Sequence, residues 1–132
     1  MTSWCVVELC VSVCVCVRVG GGWDEQVGLA AWRDAIMRNA SVFDGKVVLD
    51  VGCGVGILSM LAARAGASKV IALETNPEVC RQARAVVADN GLGDVITVVH
   101  GDVNSAELPV KQVCLRCGVR CVFGLGCVCV SR

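Results

Sequence analysis

Lys46-Val47-Val48-Leu49-Asp50-Val51-Gly52-Cys53-Gly54-Val55-Gly56 is the stretch that decides the fold. An apolar run ends in Asp50, glycines follow at the alternate positions 52, 54 and 56, and residues 57–65 form an amphipathic segment. Strand, tight glycine turn and helix, in that order, open a nucleotide-type α/β unit. The glycines let the backbone turn sharply and approach a ligand with no Cβ in the way. The helix start adds unpaired N–H groups and the positive end of a dipole.

The turn also narrows the ligand. A dinucleotide site wants a third glycine three positions after the second, and Ile57 stands there. A Walker phosphate loop wants Gly-Lys-Ser/Thr, which the chain lacks. What remains, Asp50-x-Gly52-x-Gly54-x-Gly56, resembles the first motif of S-adenosylmethionine-dependent methyltransferases. That cofactor has no pyrophosphate to cradle, but it has a methionine amino-carboxylate to hold and an adenosine to seat.

Downstream residues continue the pattern. Lys69-Val70-Ile71-Ala72-Leu73-Glu74 reads as a short buried strand ending in an acid. An acid about 20 residues past the turn is placed to accept hydrogen bonds from ribose hydroxyls. Asn76-Pro77 then opens a second helix, Asn76 capping it and Pro77 suiting its first turn. The body of that helix, residues 78–89, carries Val79, Ala83, Val86 and Val87 on one face, and Asn90-Gly91 stops it. Residues 95–99 form a third strand, followed by His100-Gly101-Asp102-Val103-Asn104. Segments that follow parallel strands line the ligand crevice, so Asp50, residues 52–56, Glu74 and residues 102–104 should converge on one edge. Taken singly, Glu74 also fits a solvated strand end and Asp102 an ordinary helix cap. Three strand ends carrying the expected chemistry in order favour a cofactor crevice. Before the first strand, residues 24–39 place Val27, Ala30, Ala31, Ala35 and Ile36 at helical spacing. The order α, β, α, β, α, β is the first half of a doubly wound sheet.

Residues 24–110 are similar to the cofactor half of protein arginine N-methyltransferases. The likeness rests on residues 43–60, on Ala65-Gly66-Ala67-Ser68-Lys69-Val70 and on Glu107-Leu108-Pro109-Val110. It implies a class I methyltransferase fold (Rossmann-like), S-adenosyl-L-methionine as cofactor, and methyl transfer to arginine of proteins such as histones. It also implies homo-oligomers for the complete family member. Carried over, Asp50, Gly52, Cys53, Gly54 and Gly56 surround the methionine part, and Glu74 binds ribose. Val103 and Asn104 fall where the family contacts adenine, with Asn104 standing where the family usually has Glu, and Asp102 beside them is also assigned to cofactor binding. The family arginine that grips the cofactor carboxylate falls on Gly28, with Arg33 nearby but aligned to a different family residue. Losing a charge-assisted contact of that kind costs roughly 1.5–3 kcal/mol.

Arginine methylation also needs two carboxylates to orient the guanidinium, and the family supplies a histidine on a later loop. No Asp or Glu follows Glu107 here, and no His follows His100. No catalytic residue is therefore assigned, and the expectation is a piece of the enzyme that is inactive alone. Two other readings stay open: a non-catalytic module that binds the cofactor or a partner methyltransferase, and another class I methyltransferase acting on a small molecule.

The expected organisation is a Val/Cys-rich tail over residues 1–22, a partial methyltransferase domain over residues 23–112, and a Cys-rich tail over residues 113–132. Of 11 cysteines, only Cys53 and Cys80 lie in the central part. Both tails alternate Val and Cys, as in residues 13–17 and 127–130. A GT repeat translates as that alternation, and Gln112-Val113-Cys114 matches an exon end running through a splice donor. Both tails are therefore expected to be translated non-coding repeat, an expectation that spliced transcripts encoding them would sink. Cys114, Cys117 and Cys121 offer three thiolates to zinc with no evident fourth ligand, so no metal site is assigned. A disulfide framework would suit a secreted protein, whereas the methyltransferase-like centre argues for an intracellular setting, nucleus or cytoplasm. Residues 113–122 are expected to add a makeshift strand where the family's fourth belongs.

Charge excludes some partners. Residues 23–112 hold eight basic and eleven acidic residues, a net of −3. No basic patch with interleaved aromatics suggests direct nucleic-acid binding. The apolar run at residues 9–17 is too short to span a bilayer, which needs about 20 residues. A half sheet forms a thin core, so marginal stability and aggregation are expected.

Overall fold

A computed structural model describes residues 13–14, 25–102, 106 and 127–130. The elements are β1 (Val13–Cys14), α1 (Glu25–Arg38), α2 (Ala40–Phe43), β2 (Val47–Val51), α3 (Ile57–Arg64), β3 (Lys69–Glu74), α4 (Pro77–Asp89), β4 (Ile96–His100) and β5 (Cys127–Val130). They form one sheet in the order β1-β5-β2-β3-β4. Strands β2, β3 and β4 are parallel, joined through α3 and α4, as the alternation of strand and helix requires.

The burial pattern shows why the strands read as continuous apolar runs. Val48, Leu49 and Asp50 are buried in succession in β2, and Val70 through Leu73 in β3. Successive side chains point to opposite faces, so both faces of these two strands are covered. Strand β4 is more open, with only Ile96 buried, as befits the sheet's edge. Trp32 and Ile36, one helical turn apart on α1, join Phe43, Val48, Ala62, Val70, Ala72, Val87 and Ile96 in a single core.

Two details differ from the sequence pattern. The inward face of α4 is Cys80, Ala83 and Val87, with Val79 and Val86 only half-buried. The Cys80 thiol behaves as a small apolar group and donates to the Glu74 carbonyl at 3.3 Å, which turns the helix toward it. The short helix α2 had no periodic signal, being a single turn anchored by buried Phe43.

The position beside β2, which a doubly wound sheet gives to a further parallel strand, is taken by β5 running antiparallel. Strand β1 in turn pairs with β5. Residues 113–122, expected to supply a strand here, lie outside the described residues.

Candidate functional site: the strand ends and the glycine turn

Parallel register brings three strand ends together. Val51 pairs with Leu73, and Glu74 with His100, so the segments leaving β2, β3 and β4 meet along one rim. The backbone N–H groups of Gly52 and Cys53 both donate to the Leu73 carbonyl, at 2.9 and 2.8 Å. That shared acceptor folds the turn back over the end of β3. Gly56 then caps α3 in the left-handed region, φ +92°, where a side chain would be strained. Among the described residues, a Cβ at Gly52 or at Gly54 would meet no atom within 4 Å, so they leave room beside the turn that a ligand can enter.

Glu74 closes the site from the β3 side. Its Oε2 accepts the Gly54 N–H at 3.1 Å, and its Oε1 accepts the Asn76 N–H at 2.9 Å. The Thr75 hydroxyl adds a long contact to Oε1 at 3.4 Å. A carboxylate has about four lone-pair sites, so the half-buried group keeps acceptor capacity toward the rim. The carbonyl of Glu74 is fixed as well, by the Gly101 N–H at 2.9 Å.

Asp50 lies beneath the turn, fully buried. Ser59, in the first turn of α3, donates its hydroxyl to Oδ2 at 2.6 Å. Oδ1 has no hydrogen-bond partner among the described residues. Burial pushes the carboxyl up to about 6, against the Ser59 hydrogen bonds and with a smaller push from the Glu74 charge. Burial, helped by the charges of Asp50 and Glu74, pushes the Cys53 thiol up to about 12. Burial raises Cys80 also. Both cysteines are free thiols.

Of the residues expected at the site, Asp50, Gly52, Cys53, Gly54, Gly56 and Glu74 are brought together. Asp102 lies on the same rim, exposed, just past β4, its carbonyl accepting the Ala106 N–H at 2.9 Å. Val103 and Asn104 lie outside the described residues. Ser59, Thr75 and His100 join the site through the fold, beyond what the sequence pattern marks. Ser59 had a faint signal, a polar residue inside the apolar run of α3. The other two enter through the backbone: the His100 ring Nε2 lies 3.0 Å from the Thr75 carbonyl oxygen. Among the described residues no group of three or more His, Cys, Asp or Glu is placed to hold a metal. No helix among them is long and apolar enough to cross a membrane.

Comparison with known proteins agrees with this geometry. Residues 48–123 match the family model described as "Methyltransferase domain". Probable protein arginine N-methyltransferase 6.1 of Oryza sativa subsp. indica is 48% identical over 87 residues, which cover 66% of this chain and 23% of that protein. Protein arginine N-methyltransferase 1 of Schizosaccharomyces pombe is 45% identical over 89 residues, covering 67% and 26%. Among solved structures, a chain of the Trypanosoma brucei PRMT1 enzyme-prozyme heterotetrameric complex with AdoHcy superposes with a TM-score of 0.58 at 55% identity, over 61% of this chain and 25% of that one. Arabidopsis thaliana protein arginine methyltransferase 10 gives 0.57 at 37% identity, over 64% and 26%. The chain thus spans about a quarter of the length of these relatives. A glycine turn over a buried acid, an acidic strand end beside it and a family match across more than half of its length make this chain a member of the methyltransferase-domain family.

Proposed function

We propose that this chain carries the S-adenosyl-L-methionine half-site of a protein arginine N-methyltransferase. The observation that bears most weight is the contact between Glu74 and the N–H of Gly54, which sets an acidic strand end against the glycine turn. When bound, that cofactor supplies an electrophilic methyl on a sulfonium sulfur. The chain's own residues bind and orient it. The open turn at Gly52 and Gly54 admits the methionine part. Asp50, with Oδ1 lacking a described partner, offers a buried acceptor to its ammonium group. Glu74 takes the ribose hydroxyls on its outer lone pairs, and residues 102–104 take the adenine side.

Methyl transfer to protein arginine is the activity in the names of the relatives, and the acceptor machinery is proposed to come from outside this sequence. Oligomeric assembly and a nuclear or cytoplasmic setting belong to the same proposal. Calorimetric titration of S-adenosylmethionine into the full chain, with Glu74→Ala as control, tests it. Binding that weakens at least about tenfold in the variant is expected for one charge-assisted contact. A folded chain that takes up no cofactor would overturn the reading.

A further inference from the structure

We infer that His100 is a positioning residue for the Glu74 carboxylate, acting through a single peptide group; the inference rests on the cofactor reading above. Thr75 C=O and Asn76 N–H are the two ends of one planar amide. The nitrogen end donates to Glu74 Oε1 at 2.9 Å. The oxygen end lies 3.0 Å from His100 Nε2. A carbonyl only accepts, so Nε2 carries the proton and donates.

The two bonds share a rigid plane, so the imidazole fixes how that plane is turned, and the plane fixes where Oε1 sits. A donor on the carbonyl also polarises the amide and strengthens its N–H toward the carboxylate. The neighbouring amide is held in parallel: Gly101 N–H donates to the Glu74 carbonyl at 2.9 Å. The last residue of β4 and the one after it therefore grip the two consecutive carbonyls that flank the exit of β3. His100 and Glu74 are register partners in the sheet, which puts the ring in reach. The hydrogen bond is exposed, so its effect is that of one ordinary bond.

S-adenosylhomocysteine titrated into the full chain by calorimetry is the test, on wild type, His100→Leu, His100→Asn, His100→Gln, Glu74→Ala and the Glu74→Ala/His100→Leu pair. His100→Leu should weaken binding about two- to tenfold, the reach of one hydrogen bond. His100→Asn, too short to reach the carbonyl, should match it and replaces it if the leucine variant fails to fold. His100→Gln, whose amide donates from a similar distance, should stay within about twofold of wild type. In the Glu74→Ala background the histidine change should cost nothing further, because no carboxylate remains to be positioned. Equal losses in both backgrounds, or no loss from His100→Leu and His100→Asn, would overturn the inference while leaving the cofactor reading intact. A wild-type chain that binds nothing, or a Glu74→Ala variant that binds as well as wild type, would remove the cofactor reading and this inference with it.

Discussion

The Ser59 hydroxyl donates to Asp50 Oδ2 at 2.6 Å, joining the buried end of β2 to the helix that β2 launches. The pair spans the glycine turn from beneath and holds its two flanks at a fixed separation. Ser59→Ala should destabilise the chain by about 1.5–3 kcal/mol, the range for a hydrogen bond to a charged group. Urea unfolding monitored by circular dichroism measures it, and an unchanged midpoint would deny the contact any structural role.

Asp50 also makes stability depend on pH in an unusual direction for a carboxylate. Its folded value of about 6 stands above the ordinary 3.8, so the folded chain binds this proton more tightly than the unfolded one. The contribution is fully present below about 3.8 and is lost as pH rises through about 6. The span corresponds to roughly 3 kcal/mol at most. Stability measured from pH 4 to pH 7 should fall across that window in wild type, and Asp50→Asn should flatten this component.

Asn76 caps α4 by accepting the N–H groups of Glu78 at 2.9 Å and Val79 at 3.3 Å. Asn76→Ala removes the single side-chain oxygen that accepts both N–H groups and should cost about 1 kcal/mol. A lowered thermal midpoint with unchanged helix content at 20 °C is the expected signature.

Gly66, in the turn between α3 and β3, has φ +102°, and its carbonyl accepts the Gly45 N–H at 2.9 Å. A Cβ there would lie 2.7 Å from Asp44 Oδ1 and 3.3 Å from Asp44 Cα. Gly66→Ala therefore meets both strain and collision, and a loss of about 1–3 kcal/mol is expected from the backbone alone. Pairing it with Asp44→Gly should recover the part due to the Asp44 side chain and leave the backbone strain and the close Asp44 Cα, as judged by chemical denaturation.

Cys53 and Cys80 should be slow to alkylate. Both are buried, and burial raises both thiols, Cys53 to about 12. The thiolate is the reactive form, so iodoacetamide at pH 7.5 should modify them much faster after unfolding than before. Mass spectrometry of the two peptides reads the ratio directly.

Much of the fold and part of the site were legible in the residues. The apolar runs of β2 and β3, the Asn76-Pro77 start of α4 and the glycine turn are local signals, and each element sits within a residue or two of its expected place. Helix α1 was visible from its spacing, whereas α2 is too short to show any. The inward face of α4 is displaced by one position from the valine spacing because Cys80 packs there as an apolar residue. Ser59 and His100 were harder, since each acts through a bond whose partner is set by register. Nothing within ten residues of His100 reveals that its ring meets the carbonyl of Thr75, 25 positions earlier. The expected roles of Val103 and Asn104 fall outside the described residues.

The antiparallel setting of β5 reverses the traffic at the mouth of the crevice. Val130 stands opposite Val48, and Cys127 opposite Val51. Strands β2, β3 and β4 all arrive at this rim, while β5 departs from it. A doubly wound sheet opens its cleft between two neighbouring strands that both arrive and whose following loops then part to either side. Here one bank of the cleft is a landing place and the other a point of departure, so among the described residues no strand delivers a loop to that second bank.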